Sequence, residues 1–169
     1  DDVKYIAQNG ILAGTAERIF SPNASMTRAM LVTALYRMEG EPDVTHNSGF
    51  EDVKDGMWYS KAIAWAAENS IVEGMGNGRF GTDENVTREQ IAAILKRYAD
   101  FKAYNTDKTV DISAYNDSAL VSDYAREAMM WANAEGIITG RSTFTLAPKA
   151  TATRAEVAAM LHRFIDGIM

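Results

Sequence analysis

The sequence predicts an all-α protein built from three tandem helix-loop-helix repeats, and three observations carry that prediction. A Thr-Arg pair opens an apolar stretch three times, at Thr27-Arg28, Thr87-Arg88 and Thr153-Arg154. With these pairs superposed, the flanks keep register without a gap. Gly14, Gly74 and Gly140 stand thirteen residues before the Thr, and Ile11, Ile71 and Ile137 stand three before the Gly. Tyr5, Trp65 and Trp131 lie six before that Ile, Phe20, Phe80 and Leu146 lie seven before the Thr, and Arg37, Arg97 and Arg163 lie nine after the first Arg. Finally, the stretch after each Thr-Arg has the i, i+3, i+4, i+7 spacing of a helix buried on one face. The copies are offset by 60 and 66 residues, with the extra six in a connector.

Each element follows from its residues. The first helix of copy two is read from "YSKAIAWAAENSIVEG", where Ile63, Ala66, Ala67 and Ser70 fall at helical intervals and Gly74 serves as the expected stop. The next stretch, "GMGNGRFGTDENV", carries four glycines and one apolar anchor, Phe80, and reads as a loop. The glycines there, Gly74 and its counterpart Gly140 above all, are expected to serve backbone turns, with a part in a groove as the lesser alternative. The second helix begins at the Thr. Thr followed three residues later by Glu or Gln forms a capping box, present in "TREQ" and "TRAE" but lacking its acid or amide in "TRAM". The buried stripes are Leu31, Ala34, Leu35, Met38, then Ile91, Ile94, Leu95, Tyr98, then Val157, Met160, Leu161, Phe164.

A lead-in segment precedes the first helix in two copies, as Phe50-x-Asp52 and Tyr115-x-Asp117, with Trp58 opposite Tyr124. Trp65 and Trp131, inside the first helices, are assigned to the core. The connectors "GEPDVTHNSG" and "FKAYNTDKTVDISA" are polar, which places the repeats at residues 1–42, 43–103 and 104–169. Helix pairs this short cannot bury a face alone, so the copies are expected to pack on each other.

Composition narrows the function. With 17 basic and 23 acidic residues the net charge is −6, which argues against generic nucleic-acid binding. No apolar run reaches the length of a membrane span, so no membrane insertion is expected. There is no cysteine, which removes disulfides and thiolate chemistry. The chain opens on "DDVKYIAQNG", inside what reads as a first helix, so it is expected to be part of a longer protein whose leader is not seen. His46 and His162 lack metal-ligand spacing, "DVKDG" is too poor in oxygen ligands for a calcium loop, and no nucleophile elbow or phosphate loop occurs. No metal, cofactor or catalytic residue is therefore expected.

The pattern carried by Phe50, Asp52, Trp58, Ala62, Ile63, Ile71, Gly74, Phe80, Thr87 and Arg88, with Gln90 at the fourth position of the Thr-Arg motif, resembles the surface-layer homology domain of bacterial cell-surface proteins. The match is strongest in copy two, good in copy three and half-length in copy one. The resemblance implies a pseudo-threefold trimer of repeats with a central helical bundle. It implies a location at the cell wall or S-layer and a fused cargo domain in the full-length protein. It further implies non-covalent attachment to an acidic secondary cell-wall polysaccharide bearing pyruvate ketals, held in grooves between repeats. By that resemblance Asp52 and Asp117 line the grooves, and the Arg of the Thr-Arg motif meets the acid.

The residues leave choices beside it. A cation at the first turn of a helix opposes the helix dipole, yet Arg28, Arg88 and Arg154 all stand there. A guanidinium beside free helix N–H groups makes an anion site suited to a carboxylate. Alternatively, each Arg pairs with an internal acid such as Asp52 or Asp117 and braces the fold. Those aspartates equally suit local capping of a loop, and Trp58 suits stacking on a sugar. Tyr124 in place of Trp makes the copy-three groove differ, and copy one lacks its F-x-D and Trp. One or two working grooves are expected rather than three. Two other classes remain: a helical-repeat protein–protein scaffold, and a wall-active hydrolase, for which copies two and three each offer only one shared acid where two facing acids are needed.

Overall fold

The computed structural model describes residues 2–169. The elements are α1 (Asp2–Gln8), α2 (Arg28–Met38), α3 (Ser60–Glu68), α4 (Arg88–Phe101), a 3-10 turn at Ser118–Leu120, α5 (Asp123–Ala134) and α6 (Arg154–Ile168). Strand pairing among the described residues occurs only as isolated bridges, so the class is all-α. Each second helix starts where its Thr predicts. Thr87 and Thr153 form complete capping boxes with Gln90 and Glu156, whereas Thr27 accepts only from the Met30 N–H.

The first helices end earlier than Gly74 suggests. α3 stops at Glu68, and the chain turns through Ser70 at φ +57°. The Ser70 N–H donates to Ala67 and the Ile71 N–H to Ala66, which is a Schellman closure. Gly10 with Ile11, and Gly136 with Ile137, close α1 and α5 in the same way. The recurring Ile is thus the apolar residue that follows a helix stop, fully or almost fully buried in each copy. Ser70 and Ala103 (φ +55°), the latter closing α4, hold a left-handed conformation without being glycine. Ser70→Gly and Ala103→Gly are each expected to stabilise the fold by about 0.5–1 kcal/mol, read as a raised urea midpoint at constant m-value.

Sequence repeats and packing units do not coincide. The closest helix pairings are α2 with α3, α4 with α5, and α6 with α1. Each second helix therefore packs on the first helix of the next copy, and the last packs on the first. Backbone hydrogen bonds close the same cycle. The Val86 N–H donates to Met26, the Ala152 N–H to Val86, and the Met26 N–H to Ala152, at 2.9, 3.2 and 3.0 Å. One ring outward, the N–H groups of Arg28, Arg88 and Arg154 donate to Glu84, Ala150 and Ala24. These bonds use N–H groups at the starts of α2, α4 and α6 that have no intrahelical partner. The apolar stripes meet inside the cycle, where Tyr98 and Phe164 are fully buried with ring centroids 5.7 Å apart. Trp65 and Trp131 are buried as expected, each edge-on to the aromatic ring at the end of its own repeat's stripe.

Candidate functional site

The three N-terminal arginines reach forward across the repeat boundary. Arg28 donates from Nε to the Phe80 carbonyl (2.9 Å) and from Nη2 to the Glu73 carbonyl (3.0 Å). Arg88 makes the same two bonds to Leu146 and Thr139, and Arg154 to Phe20 and Ala13. The Arg28 and Arg154 guanidinium groups also lie over the Phe80 and Phe20 rings, each 4.7 Å from the centroid, a favourable cation–π placement. The Phe20, Phe80 and Leu146 position is therefore the seat on which the preceding repeat's Arg rests.

Among the described residues, none of the three arginines forms an ion pair. They are 3–5% exposed, and burial, above all other influences, pulls each guanidinium below its ordinary pKa. A buried cation neutralised by no acid, holding neutral carbonyls and, for Arg154, the Met30 sulfur at 3.7 Å, leaves its remaining N–H groups available to an anion. Arg28 Nη1 makes no hydrogen bond among the described residues and is not enclosed by protein.

Two of these arginines open into grooves of matching design. Groove A, a cavity of about 280 Å³, is lined by Arg28, by Glu73, Gly74 and Met75 of the loop after α3, by Gln90, Ala93, Ile94 and Arg97 of α4, and by Tyr124 of α5. Groove B, about 370 Å³, is lined by Arg154, by Leu12 to Thr15, by Met30, Thr33 and Arg37 of α2, and by Trp58. Each draws on all three copies: an N-terminal Arg from one, the loop and a mid-helix Arg from the next, and an exposed aromatic from the one after. Trp58 is 56% and Tyr124 55% exposed.

The second arginine of each groove had no role assigned from sequence, although its repetition was visible. Nine residues at about 100° each amount to two and a half turns, so the two arginines of one helix face opposite sides. Hence Arg28 serves groove A while Arg37, on the same helix, serves groove B. Arg97 is held by an exposed ion pair to Glu73 at 3.0 Å, and Arg37 lies 3.7 Å from Glu41.

The third arginine is placed differently. Beside Arg88, the residues corresponding to Met75 and Gln90 of groove A are Arg141 and Glu156. They form a 3.1 Å ion pair, and Arg141 also donates to the Thr151 carbonyl at 2.9 Å.

Asp52 and Asp117 do not line the grooves. The two Asp52 carboxylate oxygens accept from the N–H groups of Phe80 and Gly81, both at 2.7 Å, and those of Asp117 accept from Leu146 and Ala147 at 2.8 and 2.7 Å. Each aspartate thus fixes the loop that carries the seat for the neighbouring Arg. Gly74 and Gly140 are required for close packing rather than for a left-handed turn, since neither has a positive φ. An added Cβ would lie 2.8 Å from Phe50 Cε1 at Gly74 and 2.9 Å from Tyr115 Cε1 at Gly140. The aromatic of each F-x-D turn therefore lies against its glycine.

One buried acid stands behind groove A, holding its aromatic without lining it. Glu89 accepts from Lys149 Nζ (2.6 Å) and from the Ser122 N–H and hydroxyl (3.0 and 2.9 Å), while the Tyr124 hydroxyl donates to it at 3.3 Å. It ties the start of α5 to α4 and aims Tyr124 into the groove. Burial pushes the Glu89 carboxyl up, but Lys149 and the two Ser122 donors together hold it below the ordinary value. Burial also pushes Asp52 and Glu156 up, but backbone N–H donors outweigh it at Asp52, and the Thr153 N–H together with the Arg141 guanidinium outweighs it at Glu156, so both are likewise lowered. A folded pKa below the unfolded value gives stability that is complete above about pH 4.5 and is lost as pH falls through the folded pKa. Tm is therefore expected to fall steeply below about pH 4, and the Glu89→Gln variant is expected to show a shallower acid limb. Superimposable limbs would remove Glu89 from this account.

Among the described residues, no cluster of His, Asp and Glu could hold a metal ion, and no helix is long and apolar enough to cross a membrane.

The family model of the S-layer homology domain matches residues 1–29, 49–92 and 114–158. The chain is 31% identical to an amylopullulanase of Thermoanaerobacterium thermosulfurigenes over 98% of its own length and 9% of the relative's. It is 30% identical to the surface-layer 125 kDa protein of Lysinibacillus sphaericus over 98% of its length and 14% of that protein. To a cellulosome-anchoring protein of Acetivibrio thermocellus it is 26% identical, over 92% of its length and 35% of the relative's. The chain thus spans between about a tenth and a third of these relatives. The chain belongs to the S-layer homology domain family, as three tandem repeats, and is a cell-surface anchoring module.

Proposed function

We infer that this module is non-catalytic and holds its parent protein to the cell wall by binding an acidic polysaccharide in grooves A and B. The observation that carries the reading is the buried, acid-free guanidinium of Arg28 and of Arg154, each facing a groove with a second Arg and an exposed aromatic. In groove A, Arg28 and Arg97 converge on a carboxylate of the glycan, and Tyr124 packs against the sugar. In groove B, Arg154, Arg37 and Trp58 take these parts. A pyruvate ketal suits the geometry because it sets a carboxylate directly on the ring, so that the acid and the ring face are presented together. Arg88 supports the architecture more than the binding, because the Arg141–Glu156 pair occupies the side of its groove.

Gly74 lines groove A and keeps its loop close to Phe50, Gly140 does the latter for the loop beside Arg88 against Tyr115, and Asp52 and Asp117 fix the Arg seats. The parent protein carries the cargo that this module attaches. Purified protein is expected to co-sediment with isolated cell walls and to remain in solution with walls whose acidic ketals have been removed by mild acid. Unchanged sedimentation with the treated walls would contradict the reading.

A further inference from the structure

Groove B does not end at Trp58. A second cavity of about 330 Å³ lies beyond it and shares Thr33, Arg37 and Trp58 with the first, so the indole forms a ridge between two adjoining hollows. The far hollow is walled by Tyr36 of α2 and by Lys61 at the start of α3. Its turn is fixed in advance: the Ser60 hydroxyl donates to the Lys54 carbonyl (2.6 Å) and accepts from the Met57 N–H (2.9 Å), and Trp58 packs edge-on against Tyr59. An exposed aromatic ridge held in place between two polar hollows suits consecutive rings of a saccharide chain better than one terminal sugar.

The charge of this extension distinguishes it from the matching region beside groove A. In the repeat register Lys61 corresponds to Glu127, and Tyr36 corresponds to Lys96. Lys96 is already engaged by Glu127 at 3.4 Å and Asp100 at 3.1 Å. Lys61 forms no ion pair among the described residues and is exposed. Among the described residues, the only acid lining the far hollow of groove B is Glu41, which pairs with Arg37 rather than with Lys61.

We propose that the hollow beyond Trp58 is a second subsite, taking the next sugar of the same acidic polymer and engaging it through Lys61, so that groove B reads a stretch of chain. This inference rests on the glycan-binding reading of groove B and extends it. The test is calorimetric titration with two probes, single repeat units and fragments of several units, both from a pyruvylated wall polysaccharide, using the wild-type protein and Lys61→Glu. Wild type binds the longer fragments about tenfold more tightly than single units. Lys61→Glu removes most of that gain and changes single-unit affinity by less than about twofold. Equal wild-type affinity for both lengths overturns the subsite while leaving the first hollow as a binding site. A length preference that survives Lys61→Glu, or an equal loss for both probes, overturns it as well. If wild type binds neither probe, the reading of the groove itself fails. The circular dichroism spectrum of Lys61→Glu is expected to match wild type because the side chain is exposed.

Discussion

Replacing Arg37 and Arg97 together by alanine is expected to abolish wall binding while leaving the fold almost untouched. Both are partly exposed, and their internal partners are weak ones: the Arg97–Glu73 pair is 3.0 Å long with Glu73 74% exposed, and Arg37–Glu41 is 3.7 Å. Such pairs contribute about 0–1 kcal/mol each to stability, so with two pairs lost Tm should move by no more than about 8 °C for a chain of this size. Toward a carboxylate in the groove, the same side chains supply charge-assisted hydrogen bonds worth about 1.5–3 kcal/mol each. Removing one per groove should therefore weaken each site by about ten- to a hundredfold, and attachment through both grooves should fall further than either alone. The wild-type interaction should also weaken as salt is raised. Co-sedimentation and a thermal melt of the same double variant provide both readouts. A variant that melts normally and still binds walls would place the anion elsewhere.

Arg154→Ala is expected to give the opposite balance, with a large loss of stability accompanying the loss of binding in groove B. Its guanidinium donates to the Phe20 and Ala13 carbonyls, joining the last repeat to the first across more than 130 residues of sequence. Truncation takes the partner from two carbonyls, those of half-buried Phe20 and exposed Ala13, at about 0.5–1.5 kcal/mol each, and removes the stacking over Phe20. A total near 3 kcal/mol corresponds to a fall of about 6–12 °C in Tm. Arg154→Lys should recover less than half of this, because an ammonium on a flexible stem cannot reproduce the planar two-point contact. Urea unfolding of the three proteins measures the series. A loss below about 0.5 kcal/mol for the alanine variant would show that the carbonyl clamp contributes little.

These two expectations divide what the sequence left as a single choice. An internal acid as the partner of Arg28, Arg88 and Arg154 was a natural alternative, because acids can be read from the sequence. Their observed partners are backbone carbonyls, which every residue carries and no motif marks. The capping boxes were legible at Thr87 and Thr153 because both halves lie within four residues. The end of α3 was not, because Ser70 adopts the left-handed turn that its counterparts Gly10 and Gly136 take at less cost. Core positions such as Ile91, Leu95 and Val157 followed from periodicity.

The pairing of each second helix with the next repeat's first helix could not be read from any one repeat. Local sequence states which face is apolar and says nothing of which partner covers it. That exchange is also why Arg37 and Arg97 had no assigned role. Their nine-residue offset from Arg28 and Arg88 was plain, but its meaning depends on the helix standing between two grooves.

The most direct test of the central claim is a crystal structure of this module with a pyruvylated fragment of wall polysaccharide. The carboxylate is expected within hydrogen-bond distance of Arg28 and Arg97 beside Tyr124, and of Arg154 and Arg37 beside Trp58, with no fragment beside Arg88. A fragment bound away from both arginine pairs, or seated against the Arg141–Glu156 pair with grooves A and B empty, would contradict the account.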